Sequence, residues 1–144
     1  MRLWQLTNHT SGLPLNLPEG LPAPVPGQRD SATDFRKEAA LLERYTQDDF
    51  LRDLRDVKLT RPPGERFSYS NAAAQLAGLV LERLYGESFD NLVRTKIAGP
   101  LAMEDTRVAL NATEQARLPR GYSGGVAFVP PSSSALPAHG ALKS

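Results

Sequence analysis

The apolar positions of this chain fall mostly at helical spacing. Residues 72 to 85, AAAQLAGLVLERLY, give the clearest pattern: Leu76, Leu79, Val80 and Leu84 recur at intervals of three and four, and Gly86 follows as a stop. Gly78 inside this helix costs about 1 kcal/mol relative to alanine, which a close helix–helix approach would explain. A helix is expected after Thr46, where Thr46 and Asp49 stand as a capping box and Phe50, Leu51, Leu54 and Val57 share a face. Ser88 caps another, FDNLVRTKIA, with Phe89, Leu92, Val93 and Ile97 expected inward and Gly99-Pro100 closing it. Residues 34 to 45 read as helix through Ala39, Leu41, Leu42 and Tyr45. Residues 2 to 9 read as a helix end, with Gly12 as its stop, and Asn111 with Glu114 caps a further turn or two. Strand signals are confined to TRVAL (106 to 110) and GGVAFVP (124 to 130).

The segments between are loop-like. Twelve prolines in 144 residues exceed the usual share of about 5%, and they cluster at 14 to 26, 62 to 63 and 130 to 137. Residues 13 to 32 and 130 to 144 are loop-rich. The expectation is one partial domain over 1 to 144, mainly α with long loops. Its amphipathic helices lack an obvious sheet to pack against, so marginal stability or self-association is expected.

Composition narrows the functions. With 17 basic and 16 acidic residues the net charge is +1, which argues against a nucleic-acid partner because that needs a clustered basic face. No cysteine is present, so disulfides and thiolate metal sites are excluded. His9 and His139 stand in no zinc-binding spacing, so neither a metal nor another cofactor is implied. No apolar run approaches the roughly 20 residues that cross a bilayer, and the first residues lack the apolar core of a leader peptide. The compartment stays open.

Candidate chemistry centres on PPGERFSYSN, residues 62 to 71. In extended chain, residues two apart point to one face. Tyr69 and Asn71 can then line a cleft while Ser70 points away. The plainer alternative makes Asn71 the N-cap of the helix starting at Ala72, and Tyr69 a half-buried aromatic. Gly121-Tyr122-Ser123-Gly124-Gly125 matches the G-x-S-x-G nucleophile elbow, which needs a strand before and a helix after. Neither is expected here, and no acid follows Glu114, so a glycine-rich turn is favoured over an esterase that uses Ser123. No serine in the 144 residues has lysine three positions on, so the S-x-x-K nucleophile motif is absent.

NHTSGLP (8 to 14), PPGERFSYSN (62 to 71), LAGLVLERLYGESFDNLV (76 to 93), IAGPLAMEDTRV (97 to 108) and PAHGALKS (137 to 144) occur in an order and spacing that resembles the serine β-lactamase and penicillin-binding-protein superfamily, in its class C, D-alanyl-D-alanine peptidase and esterase branch. The resemblance implies the helical lobe of a two-lobed α/β fold, with the sheet lobe largely missing. It implies acyl transfer through a serine on a β-lactam, an ester or a peptidoglycan-type peptide. Tyr69-Ser70-Asn71 matches the family's Y-x-N motif. By that match Tyr69 is the general base or proton relay, and Asn71 binds the catalytic lysine and the substrate's amide. A free phenol has a pKa near 10, and lowering one to about 7 takes roughly 4 kcal/mol. One ammonium about 4 Å away at an effective dielectric of about 20 supplies that much. Lys58 lies eleven residues upstream across a Pro-Pro turn, with nothing to aim it at Tyr69. The expectation is that the residues present do not catalyse alone; the alternative is a non-catalytic module that binds cell-wall peptides or completes a separate chain.

Overall fold

The computed structural model describes residues 1–18, 21, 40–42, 44–59, 61–123, 126–128 and 136–143. In chain order the named elements are α1 (Leu3–Thr7), α2 (Gln47–Asp56), α3 (Asn71–Tyr85) and α4 (Phe89–Val93). A π-helical turn (Arg94–Ala98), α5 (Ala112–Arg117), β1 (Gly121–Ser123), β2 (Val126–Phe128) and a 3-10 turn (Pro137–His139) follow. The molecule is mainly helical, and its one sheet in the described residues is the antiparallel β1–β2 pair, with Ser123 opposite Val126. Of the helix expected over 34 to 45, only 40 to 42 are described as helical, and residues 31 to 39 lie outside the described residues.

Local capping chemistry fixes most helix ends. Thr46 and Asp49 form the expected box: the Thr46 hydroxyl accepts from the Asp49 amide, and the Asp49 carboxylate accepts from the Thr46 amide. Ser88 caps α4, Asn111 with Glu114 caps α5, and Gly86 ends α3 in the left-handed conformation at φ 67°. Two ends differ from the sequence expectation. The first helix stops at Asn8, and the chain turns through a left-handed His9 (φ 58°) well before Gly12. The N-cap of α3 is Ser70, not Asn71, which is the first helical residue.

The core forms where α3 meets α2, residues 13–18 with Leu21, and the 3-10 turn. Leu17, Leu42, Tyr45, Phe50, Ala72, Leu79 and Leu136 pack together, with Leu51, Leu54, Leu76 and Val57 at the margin. A second cluster joins Leu6 of α1 to Leu13 and Ala73. The buried face of α3 is not its largest side chains but Ala72, Ala73, Gln75, Gly78 and Leu79. Leu84, which falls on the helical apolar spacing, is 73% exposed. Small residues let another segment come close: a Cβ on Gly78 would lie 2.3 Å from the Cβ of Ala138. The close approach expected at Gly78 is therefore made by the 3-10 turn rather than by another α-helix. Gln75 secures the contact from within, its Oε1 accepting from the Ala138 amide at 3.0 Å.

Two further differences have local causes. Ile97, expected inward, is 53% exposed while Ala98 is buried. The Gly99 amide donates to Arg94 O, five residues back, and this wider turn shifts the helical face by a residue. The segment 106 to 110 is not a strand. It makes a single bridge, Arg107 to Lys143, and the Asp90 carboxylate accepts from the Val108 and Ala109 amides. Among the described residues no helix is long and apolar enough to cross a membrane.

Candidate active site

Tyr69 and Asn71 reach the surface because the backbone on either side of them is tied down. Residues 67 to 70 lead into α3 beside the 8–16 segment, with Ser70 extended. The Ser70 side chain is fully buried. Its hydroxyl donates to Pro14 O at 2.6 Å and accepts from the Ala73 amide at 2.9 Å. With its proton given to a carbonyl and a lone pair to an amide, Ser70 is a cap and not a nucleophile. Ser11 is also fully buried.

Alternation then turns Tyr69 outward, and it is 56% exposed. Asn71 is half-buried, and its Nδ2 donates to Asn16 Oδ1 at 2.8 Å. Since Ser70 takes the capping role, the Asn71 carboxamide is not spent on the helix end.

The amino end of α3 is not an anion site. The Asn71 and Ala72 amides both donate to Leu15 O, at 2.7 and 3.3 Å, and the Ala73 amide donates to Ser70. The Ser70 amide donates to His9 Nδ1 at 3.2 Å, while the Ala74 amide already makes the first intrahelical bond, to Ser70 O. All four N–H groups that a helix start leaves open are used, so no oxyanion can be held there by this backbone. Behind Asn71 lies a void of about 10 Å³ bordered by Asn16, Gln75 and His139. It holds one water at most. His139, below this void, has its pKa lowered by burial, partly offset by the Leu136 backbone.

The remaining sequence candidates do not join this cluster. Gly121 to Ser123 is the first strand of the hairpin, with the chain returning antiparallel at Val126 to Phe128 rather than entering a helix. That geometry is not a nucleophile elbow. His9, given no role from sequence, does join it. Its ring centroid lies 4.4 Å from that of Tyr69 and 5.8 Å from that of Phe67, and its Nδ1 accepts from the Ser70 amide at 3.2 Å. The segment NHTSGLP was part of the sequence resemblance, but nothing local shows that it lies against residues 67 to 70.

A mainly helical chain whose only described sheet is a short hairpin has the make-up of the helical lobe of a serine β-lactamase-like fold. The chain belongs to the Beta-lactamase family, whose model matches residues 1–144. The structure is similar to that of a β-lactamase/D-alanine carboxypeptidase from Yersinia pestis, with a TM-score of 0.71 and 29% identity over 98% of this chain. It also shares its fold with a D-amino acid amidase from Ochrobactrum anthropi SV3, with a TM-score of 0.62 and 22% identity over 99% of this chain. The matches cover 35% and 42% of those two proteins, so the chain spans well under half of either. Comparison with curated proteins gives no match.

Proposed function

We propose that this chain supplies the Y-x-N half of an acyl-transfer site of the class C β-lactamase-like branch, as one partial domain over residues 1 to 144. Tyr69 is its proton-transfer group and Asn71 its substrate-amide ligand. The attacking serine and the activating lysine are not among these residues, so the chain does not form an acyl-enzyme alone. The observation that supports this most is the division of labour in Tyr69-Ser70-Asn71. Ser70 is turned inward and caps the helix, while the phenol on one side is exposed and the carboxamide on the other is half-buried.

The substrate class that fits is an acylated peptide of the D-alanyl-D-alanine kind or a related β-lactam, in line with the name of the Yersinia pestis relative. Asn71 offers an amide partner to such a ligand, and the exposed faces of Phe67 and Tyr69 offer it apolar area. An esterase built on Ser123 is disfavoured by the hairpin at that position.

The test is titration of the 15N-labelled chain with an N-acyl-D-Ala-D-Ala peptide. Saturable shifts concentrated at Phe67, Tyr69 and Asn71, weakened by Asn71→Ala, are expected. Shifts concentrated around Ser123, or ester hydrolysis lost in Ser123→Ala and kept in Tyr69→Phe, would overturn the assignment.

A further inference from the structure

We infer that His9 is a positioning residue for Tyr69, a role that deepens the proposed site and rests on Tyr69 belonging to it. His9 holds the residue on each side of Tyr69. Its carbonyl accepts from the Ser68 amide at 2.8 Å, and its ring Nδ1 accepts from the Ser70 amide at 3.2 Å. The phenol-bearing residue is thereby bracketed by two bonds from one histidine. The imidazole also leans on the tyrosine ring, at 4.4 Å between centroids and 43° between planes.

The chemistry of the bracket is specific. A backbone N–H can only donate, so Nδ1 must offer a lone pair, and the neutral ring keeps its proton on Nε2. The ring reaches Ser70 because His9 sits at φ 58°. That left-handed conformation is uncommon for residues with a Cβ and most accessible to Gly, Asn, Asp and His. Two neighbours anchor the turn from outside. Asn8 Oδ1 accepts from the Thr10 amide and hydroxyl, and Thr10 O accepts from the Gly64 amide at 2.7 Å. The 8–10 turn is thus fixed to the 64–70 segment at Gly64, Ser68 and Ser70, and only the last of these bonds uses a side chain.

Two substitutions separate this role from mere turn geometry. His9→Gly accepts the left-handed backbone freely but removes both the acceptor and the ring. His9→Asn tolerates the same backbone and places a carboxamide oxygen near the position of Nδ1. In His9→Gly, Ser70 amide exchange is expected to speed up by about fivefold or more, as for loss of one hydrogen bond. The Tyr69 ring resonances should collapse toward free-tyrosine positions. In His9→Asn, exchange at Ser70 should return to within about twofold of the parent, since the acceptor is restored. In the unsubstituted chain, a long-range 1H–15N spectrum should show Nδ1 unprotonated and Nε2 bearing the proton.

A protonated Nδ1 in the neutral ring would overturn the inference, and so would equal Ser70 exchange in the Gly and Asn variants. The peptide titration separates this from failure of the site itself. Absent shifts at Tyr69, with Ser70 protection following the Gly/Asn series, would sink the site and leave the bracket standing. Present shifts that saturate at the same peptide concentration in the parent, His9→Gly and His9→Asn would sink the positioning role alone.

Discussion

Replacing Gly78 by alanine sets two opposed effects against each other. On helix propensity alone the substitution gains about 1 kcal/mol. The added methyl, however, would lie 2.3 Å from the Cβ of Ala138, a separation that packed carbons do not adopt. Ala138 sits in the 3-10 turn (Pro137–His139), and its amide donates to Gln75 Oε1, so the turn cannot retreat without stretching that buried bond. Overpacking of this kind costs about 1–3 kcal/mol, and weakening one buried hydrogen bond costs about 1–3 kcal/mol more. The clash wins, with a net loss of about 1–5 kcal/mol after the propensity gain. For a chain of this size the melting temperature should fall by about 3–5 °C per kcal/mol. The other neighbour, Phe89 Cδ2, would stand at an ordinary 3.5 Å. A second substitution, Ala138→Gly, removes the opposing methyl and should recover most of the loss. Thermal and urea unfolding of the single and double variants measure this. Stabilisation by Gly78→Ala, or no recovery in the double variant, would refute the packing argument.

Other consequences follow from the same contacts. Ser70→Ala deletes the α3 cap and strands Pro14 O and the Ala73 amide in a buried place, so urea unfolding should show a loss of about 2 kcal/mol. Asp49 has its pKa lowered to about 2, first by the Thr46 hydroxyl, then by the Thr46 amide and Arg52. A depressed carboxylate stabilises the fold above its unfolded pKa of about 3.9. That contribution should fade as pH falls from about 4 through about 2, and amide exchange at the start of α2 should lose this pH step in Asp49→Ala. Tyr45→Phe removes the 2.8 Å bond from the buried phenol to Asp53 and should cost about 1 kcal/mol by the same unfolding assay.

The parts of this fold legible in the sequence were those decided within a few residues. Thr46 with Asp49, Ser88, Asn111 with Glu114, and Gly86 all cap as their local chemistry dictates. Most of what differs depends on distant partners. Leu84 reads as core by spacing, but the approach of the 3-10 turn selects the small face of α3 instead. Ile97 reads as inward by spacing, but a π-helical turn changes the count by one residue. Asn71 and Ser70 are both good caps, and only the carbonyls of Pro14 and Leu15 decide between them. The contact of His9 with Tyr69 spans most of the distance between two separated motifs, and no local pattern encodes it. The sequence brings out Tyr69 and Asn71 as a pair through their spacing, but what holds that pair in place is written elsewhere in the chain.

The most direct measurement is the intact mass of the purified 144-residue chain after incubation with a fluorescent penicillin, with nitrocefin turnover followed in parallel. An unchanged mass and no turnover are expected, because no serine here has an activating lysine one helical turn on. A stoichiometric adduct on any of its own serines, with nitrocefin hydrolysed, would contradict the account.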